Sequence, residues 1–392
     1  MDEISLLRRS RNDIPERAPV AITRGRAALF GQIDAETPVA LFSQLGDDTA
    51  FAPLPSRRRR RTAAWAGFSA LGATALVGAL VATNVLGGPG WQGTAEPAAA
   101  AALESAAVAA LQVSDPVVSP GQYLLVRTDA VYGATGTLEE DADRIRRENN
   151  GNVQPEDLVS FLEKMRDEVF VPADREDLWV WIRCMRTPVE TFGPRSEALA
   201  AQQTRESAEV GAADILQHLP GGIFPGGSAY GSYNGGNGSP GDYDALPRDP
   251  RLLLERIYQL NGSSGQSRDG QVLVWIADTL RSGIVPADLR AAIYQAAALI
   301  PGVTITEQEA TLNGTTGIAI GRLETASNRR QDIIIDPATG GFIGERYVQL
   351  DGAGGFPPRT VTGWTAVTTV VVDSPPTDTS TCSDAAPGSD GR

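Results

Sequence analysis

The feature that most constrains this chain is a run of 25 residues, Thr62 to Leu86, without a single charged side chain. As an α-helix the run would extend about 37 Å, which is enough to cross a bilayer's hydrocarbon core of roughly 30 Å. A Gly-Gly-Pro-Gly sequence, which disfavours helix continuation, follows at 87–90. Five consecutive arginines come directly before the run: Arg57, Arg58, Arg59, Arg60 and Arg61. The sequence therefore predicts a single transmembrane helix over 62–86.

The arginine cluster sets the expected orientation of this helix. Basic residues beside a membrane span remain on the cytoplasmic side. We therefore expect residues 1–61 in the cytoplasm and the chain beyond residue 86 outside it. A cleaved signal peptide is the alternative, but the 61 residues before the apolar run far exceed a signal peptide's basic region. No lipobox cysteine follows the run either, so the sequence favours an anchor in the cell membrane.

Composition disfavours several classes of function. A formal net charge of −14 disfavours nucleic acid as a partner. One histidine and two cysteines are too few for an HExxH zinc site or a four-thiolate cluster, and the only lysine, Lys164, does not belong to a P-loop. The histidine, His218, comes just before a glycine-rich segment, where neither a nucleophile nor an orienting carboxylate is held rigidly. We predict no catalytic residue, no metal ligand and no cofactor, and we expect a protein that is not an enzyme.

Residues 1–61 form a basic segment in which two short amphipathic helices are predicted, around 4–14 and 22–33. The segment has too few large apolar side chains to form a core of its own. Two interpretations stay open. It is either a loosely ordered tail on the membrane surface or a docking segment that folds against a cytoplasmic partner.

The chain beyond the span divides into three parts. Residues 87–119 contain a linker and an alanine-rich helix at 96–112, residues 120–374 form the main domain, and residues 375–392 read as a disordered tail. Strands are predicted at 122–132 and 178–187. Between them, 139–170 has helical character, with apolar residues at helical spacing: Leu158, Phe161, Leu162 and Met165.

The second half of the main domain has the clearest pattern. A glycine-rich loop at 220–247 is followed by three predicted helices, at 250–260, 271–281 and 286–299. The apolar period then changes from 3.6 to 2, which predicts five successive strands: 303–312, 315–324, 331–336, 342–350 and 361–372. This order predicts an α+β fold in which a curved antiparallel sheet packs on the helices.

Cysteine and tryptophan supply the remaining candidate residues. A disulfide between Cys184 and Cys382 is permitted outside the cytoplasm, but Cys382 lies in the tail read as disordered, so the sequence favours Cys184 as a buried apolar side chain. Large aromatic residues of the domain are candidates for an apolar pocket between sheet and helices, unless they simply fill the core. They are Trp179, Trp181, Trp275 and Trp364.

Several segments resemble an uncharacterised family of membrane-anchored proteins from high-GC Gram-positive bacteria. They are LLRRSRNDIPE at 6–16, the arginine run, VFVPADRED at 169–177, LPRDPRLLLERIY at 246–258, VPADLRAAIYQAAALIPGV at 285–303, DIIIDPATGGFIGERYV at 332–348 and GWTAVTTVVVD at 363–373. The resemblance implies an anti-sigma-like architecture. It also implies an outer domain similar to the half-barrels of periplasmic lipoprotein carriers and sigma-regulator sensors. Zinc-binding anti-sigma domains carry a histidine and a CxxC motif, which residues 1–61 lack, so any contact with a sigma factor would be made without zinc.

Together these features predict a single-pass membrane protein without enzymatic activity. Its extracytoplasmic domain senses or binds a ligand or partner, and its cytoplasmic segment contacts another protein, with a sigma factor as the first expectation. The alternative is an anchored domain that binds a lipid, a lipoprotein or another hydrophobic ligand and has no signalling role.

Overall fold

The computed structural model describes the chain after the predicted membrane span. The described residues are 94–149, 151–224, 229–230, 242–261 and 265–385. The predicted cytoplasmic segment at 1–61 and the predicted transmembrane helix at 62–86 lie outside them, as does most of the glycine-rich loop. Within the described ranges, no helix has the length and apolar character that crossing a membrane requires.

The described strands form one antiparallel sheet of ten strands. In chain order they are β1 (Tyr123–Gly136), β2 (Val159–Pro172), β3 (Leu178–Arg183), β4 (Thr187–Thr191), β5 (Ile215–Pro220), β6 (Thr304–Leu312), β7 (Thr315–Glu324), β8 (Arg329–Asp336), β9 (Gly341–Gln349) and β10 (Thr360–Val372). Their order across the sheet is β5-β3-β2-β1-β10-β9-β8-β7-β6, and β4 also pairs with β2. The pairing of β1 with β10 joins strands from opposite ends of the domain in the middle of the sheet.

Helices cover one face of this sheet. The described helices are α1 (Pro97–Gln112), α2 (Ala142–Asn149), α3 (Pro194–Glu209), α4 (Pro250–Asn261), α5 (Arg268–Arg281) and α6 (Ala287–Ala297). Four of them, α1, α4, α5 and α6, bury their apolar sides in one large cluster with alternate side chains of the strands, such as Val126, Val169 and Ile333. Side chains on a strand alternate between its two faces, so these positions share the face that meets the helices.

Helix α1 is fixed by close backbone contacts. The N–H groups of Ala95 and Glu96, just before the helix, donate to the carbonyls of Ala298 and Val303 at 3.1 and 2.8 Å. At the other side of the helix, the turn between β8 and β9 approaches so closely that a Cβ on Gly340 would collide with the Ala106 carbonyl oxygen. The alanine-rich composition of α1 is what permits this close packing.

The second half of the domain confirms the sequence prediction. Helices α4, α5 and α6 and strands β6 to β10 all occur close to their predicted positions. The antiparallel sheet packed on helices is also as predicted.

The helical prediction for 139–170 is wrong over most of its length. Only α2 and a short 3₁₀ turn at Glu139–Asp141 are helical before residue 150, and 159–172 is strand β2. Phe161 and Met165 point to the helices, whereas Leu162 points to the opposite face. Both faces of β2 carry apolar residues, because the helices cover one face and the segment around Cys382 packs against the other. A strand of this kind is hard to distinguish from a helix by periodicity.

The region around His218 also differs from the prediction. The strand predicted at 178–187 ends at Arg183, and Met185 lies beyond it with 43% of its surface exposed. Helix α3 and strand β5 have no counterpart in the sequence prediction. His218 belongs to β5, where it pairs with Val180, rather than to a loop.

The C-terminal segment is the third region in which the structure differs from the sequence prediction. Cys184 and Cys382 form a disulfide, with 2.08 Å between the sulfur atoms, and Ser380–Ala385 forms a 3₁₀ turn. Cys382 packs against a small apolar cluster on the sheet face opposite the helices, which includes Phe170 and Val180. The tail composition gave no sign of this because the contacts that fix it come from residues about 200 positions earlier in the chain.

Candidate functional site

The structure does not bring the four candidate tryptophans together. Trp179, Trp181 and Trp275 belong to the large apolar cluster between sheet and helices. Trp179 packs edge-on against Tyr230 at 6.0 Å between ring centroids, and Trp181 against Phe224 at 5.1 Å. Trp364 packs on a separate apolar cluster of the opposite face. The arginines at 57–61, predicted to set the membrane topology, lie outside the described residues.

Polar side chains interrupt the apolar interface where the C-terminal end of α5 meets the sheet. We call them the polar cluster, and they are Tyr132, Asp278, Arg281, Gln331, Glu345, Tyr347 and Thr365. The strands β1, β8, β9 and β10 supply five of them, and α5 supplies Asp278 and Arg281. Burying polar groups in such an interface is costly unless they are paired, so the cluster requires an explanation.

Strand register places these side chains in two adjacent rows. Each row runs across β1, β10, β9 and β8, one residue from each strand. The first row consists, in that order, of Tyr132, Gly363, Tyr347 and Gln331. The next row consists of Ala130, Thr365, Glu345 and Ile333. Ile333 belongs to the core under the helices, so both rows face α5.

Arg281 connects the helix layer to the sheet within this cluster. Its Nη1 donates to Glu345 Oε1 at 2.5 Å, and its Nη2 donates to Asp278 Oδ1 at 2.6 Å. Gln331 Nε2 donates to Glu345 Oε2 at 3.0 Å and to the Tyr347 hydroxyl at 2.9 Å. The Glu345 side chain is only 1% exposed, so it lies in a low-dielectric environment where these contacts are strong.

The two carboxylates share a single guanidinium, which affects their protonation. The pKa of Asp278 is raised to about 7, chiefly by burial; Arg281 opposes this rise and the Glu345 carboxylate adds to it. Burial also raises the pKa of Tyr132 to about 12. At neutral pH the cluster therefore holds a carboxyl group close to its titration midpoint, a property found at many functional sites.

Gly363 lies between Tyr132 and Tyr347 in the strand register. A methyl group at Gly363 would lie 4.0 Å from Tyr132 Cδ1 and 3.9 Å from Tyr347 Cδ2, and its nearest atom would be the Val131 carbonyl oxygen at 3.5 Å. A small side chain at position 363 would therefore contact both rings without displacing them. Gly363 itself is buried, and both tyrosines are partly exposed.

One polar atom of the polar cluster has no partner. Thr365 lies two residues beyond Gly363 on the same face of β10 and is 2% exposed. Its Oγ1 makes no hydrogen bond within the described part of the chain. Buried hydroxyl groups are almost always hydrogen-bonded, so this one is a candidate for contact with a bound molecule.

Arginines lie beside both tyrosines and beside neighbouring carboxylates. The Arg186 guanidinium lies over the Tyr132 ring at 5.4 Å and donates to Glu163 Oε1 at 2.9 Å. The Arg329 guanidinium lies over the Tyr347 ring at 4.3 Å. By strand register, Glu163 on β2 and Arg329 on β8 lie on the outer sides of the two tyrosines, away from Gly363. A further pair, Arg183 and Asp167, is joined at 3.0 Å.

Sequence reasoning did not identify the polar cluster, although a signal was present. Asp278 and Arg281 lie at an i, i+3 spacing on the otherwise apolar side of α5. Gln331 and Glu345 occupy inward-facing positions of strands that are rich in isoleucine and glycine. A charged residue in the register of a core position is the pattern that indicates such a site. Among the described residues, no group of three metal-ligating side chains comes together.

Comparison of the chain with protein-family models, with curated proteins and with solved structures gave no match. Its function is therefore inferred from its own residues and geometry.

Proposed function

We propose that this chain is a single-pass membrane protein whose α+β domain lies outside the cytoplasm, binds a ligand or partner there, and is coupled to a cytoplasmic segment. The observation that carries this proposal is the disulfide between Cys184 and Cys382, which uses both cysteines of the chain. Disulfides form and persist in oxidising compartments. The disulfide thus supports the same location that the apolar run and the arginines before it predict. No enzymatic activity is proposed.

The polar cluster supports binding as the role of the domain. The described fold already has a large apolar core, so charged residues under α5 are not needed to bury more surface. They include a carboxyl group that titrates near neutral pH and a hydroxyl without a partner. Groups of this kind favour an interaction with a molecule that enters the cluster.

Coupling to the cytoplasm is proposed from the sequence. The basic segment at 1–61 is short, and its apolar stripes suit docking against a partner protein. The resemblance to an anti-sigma-like family makes a sigma factor the first candidate. Residues 1–61 contain neither histidine nor cysteine, so that contact would be made without zinc.

The alternative is an anchored domain that binds a lipid or lipoprotein and has no signalling role. Trp179, Trp181 and Trp275 are buried in one apolar cluster between sheet and helices, so a hydrophobic ligand would enter there only if the layers separated. This alternative predicts that deletion of residues 1–50 leaves the function of the protein unchanged.

Location is tested by fusing alkaline phosphatase to the full chain after Arg392. This enzyme is active only after export from the cytoplasm. We expect an active fusion, and we expect loss of activity in a matched variant that lacks residues 62–86. A fusion that stays inactive while β-galactosidase at the same position is active would overturn the proposed location.

Coupling is tested by extracting the full tagged protein in a mild detergent and identifying the proteins that copurify. A variant that lacks residues 1–50 but keeps the arginines and the span is the matched control. We expect a sigma factor with the full chain and none with the control. If the full chain recovers no sigma factor, that partner is wrong, and unchanged function of the control would favour the alternative.

A further inference from the structure

We propose that the disulfide between Cys184 and Cys382 is a clasp that a dithiol reductant opens in the folded protein, which frees residues 374–385 from the outer face of the sheet. We call residues 374–385 the strap, and the outer face is the one opposite the helices. This inference rests on the proposed function, because it names the class of partner, a thiol–disulfide oxidoreductase, to which the exported domain responds.

The strap covers the middle of an apolar patch on the outer face. Strand register places one residue from each of five strands in a row on this face. In order from β5 to β10 they are His218, Val180, Phe170, Leu125 and Val370. The middle three are at most 7% exposed, although their cluster contains Cys382 and no residue of helices α1 to α6. Val370, at the end of the row, is 53% exposed. The strap therefore shields the centre of a patch whose rim stays open.

Little besides the disulfide holds the strap to the sheet. Within the described chain, no hydrogen bond joins residues 374–385 to a strand. The Ser380 N–H donates to the Asp378 carboxylate and the Cys382 N–H to the Thr379 carbonyl, both at 3.0 Å and both inside the strap. The strap has no leucine, isoleucine, valine or aromatic residue. Small polar side chains gain little from apolar contact, so the covalent bond is the main constraint.

The closed strap also leaves two buried polar atoms without a partner. Glu168 lies two residues before Phe170 on the same face of β2 and is fully buried. Its Oε1 accepts from Arg127, but its Oε2 makes no hydrogen bond within the described residues, and neither does Thr381 Oγ1 in the strap. The turn that contains Cys382 contacts β2. Burying an unpaired carboxylate oxygen is costly, so hydration of Glu168 favours the open form.

The two sulfur atoms differ in their access to a reductant. Cys184 is 4% exposed and Cys382 is partly exposed, so an incoming thiolate attacks Cys382 Sγ. This attack breaks the S–S bond, joins Cys382 to the reductant and releases Cys184 as a thiolate, which takes up a proton. The second thiolate of the reductant then attacks its own sulfur in the mixed disulfide and frees Cys382 in the same way. Two electrons and two protons pass to the chain, and the reductant leaves as a disulfide.

The first experiment measures reduction of the native protein. The full chain in a non-ionic detergent is treated with dithiothreitol, and free thiols are followed over time by alkylation and mass spectrometry. We expect the rate to change by less than about twofold between 0 and about 1 M urea, because the clasp opens without unfolding. Reduction that required global unfolding would accelerate by about fivefold or more over this range. Such an acceleration would overturn the proposal.

The second experiment tests whether the strap leaves once the bond is cut. The probe is a maleimide carrying polyethylene glycol, which is too large to reach Cys184 under a closed strap. In the reduced protein we expect Cys184 to react at a rate within about tenfold of that of Cys382. Protection of Cys184 by about a hundredfold or more would show a closed strap and overturn the proposal. Loss of the circular dichroism signal on reduction would do the same, because the bond would then be needed for the fold.

A substitution under the strap tests the cost of closing it. Glu168→Gln removes the charge that the strap buries, so Cys184 of the reduced variant should react about threefold or more slowly than in the native chain. Glu163→Gln is the matched control, because Glu163 is 4% exposed on β2 but pairs with Arg186 on the face toward the helices. It should leave the rate unchanged. Equal effects of the two substitutions would contradict the role assigned to Glu168.

The class of partner is tested with a protein dithiol of the oxidoreductase type whose second cysteine is replaced by serine. This replacement prevents the second attack and traps the mixed disulfide. We expect an adduct on Cys382 of the full chain, located by mass spectrometry of its peptides. An adduct on Cys184 would contradict the order of attack, and the absence of any adduct would overturn the class of partner.

Failure of this inference is distinguishable from failure of the proposed function. An active phosphatase fusion, combined with a disulfide that is reduced only on unfolding, overturns the clasp alone. An inactive fusion overturns the proposed location, whatever the thiol kinetics are.

Discussion

The Nη1 atom of Arg281 and the Oε1 atom of Glu345 are 2.5 Å apart, and this contact joins the end of helix α5 to the middle of strand β9. The two side chains are 12% and 1% exposed, so the ion pair is largely removed from solvent. A buried pair of this kind contributes little to stability relative to apolar residues, but losing one partner is costly. This asymmetry makes the polar cluster a sensitive place for substitutions.

Arg281→Met should destabilise the domain by about 3 kcal/mol at pH 7.5, because it leaves Glu345 and Asp278 buried without their cation. The loss should be smaller at pH 5, where Asp278 is protonated. Urea unfolding followed by tryptophan fluorescence measures both values. Arg146→Met removes an exposed pair with Asp143 and should change stability by less than about 1 kcal/mol. Equal effects of the two substitutions would contradict this account.

The effect of Asp278→Asn on the stability of the domain should become more favourable as pH rises. The pKa of Asp278 is raised to about 7 in the folded state, compared with about 3.9 in the unfolded chain. The stability that protonated Asp278 contributes is therefore fully present below about pH 3.9 and is lost as pH rises through about 7. Asparagine has no such loss, so the difference in Tm between variant and native protein should be several degrees more positive at pH 8 than at pH 5.

Asp288→Asn is the control for this pH dependence. The Arg248 guanidinium lowers the pKa of Asp288, so that carboxylate is ionised at both pH values. The Tm difference of the control should therefore be the same at pH 5 and pH 8. If the Tm difference for Asp278→Asn were also the same at both pH values, the pKa of the Asp278 carboxyl group would not be raised.

The disulfide should stabilise the domain by about 2 to 5 kcal/mol, because it closes a loop of 198 residues in the unfolded chain. Guanidinium unfolding of the oxidised protein, compared with the Cys184→Ala/Cys382→Ala variant, measures this contribution. Hydrogen exchange should accelerate first at the outer-face cluster around Phe170 and Val180, against which Cys382 packs. Identical unfolding midpoints and unchanged exchange would show that the bond contributes nothing.

Replacing a tryptophan with alanine should reduce stability by an amount that depends on the face of the sheet where the tryptophan lies. Trp181→Ala should cost about 3 to 5 kcal/mol, because Trp181 is 2% exposed and contacts Phe224 and the Asp167 carboxylate. Trp364→Ala should cost less, because Trp364 is only partly buried on a small cluster. Thermal or urea unfolding of the two variants gives the comparison. A larger loss for Trp364→Ala would contradict the separation of the two clusters.

Local patterns in the sequence were sufficient for the second half of the domain. Asn313-Gly314 marks the turn between β6 and β7, where both residues have positive φ angles of 46° and 80°. The helices α4 and α6 begin with Asp249 and Pro286 beside their first turns, as their sequences predicted. Each of these signals acts within a few residues, so no knowledge of the tertiary structure is needed to interpret them.

Long-range contacts account for the parts that were not predicted. Strand β2 depends on pairing with β1, β3 and β4, and its apolar residues serve two faces at once. Cys382 is fixed by a partner 198 residues away. The polar cluster draws Tyr132, Gln331 and Tyr347 from three strands, and these residues become neighbours only once the strands are in register. Composition and periodicity carry no information about such juxtapositions.

The pairing of β1 with β10 has a consequence for the biogenesis of the protein. One edge of β1 has no neighbour until residues 360–372 have been synthesised and, for an exported domain, have crossed the membrane. Strands β1 to β5 would thus form first, and the backbone amides along one edge of β1 would stay exposed until β10 pairs with it. A chaperone that shields open strand edges during secretion should therefore associate with chains truncated before residue 360 and dissociate once they are complete.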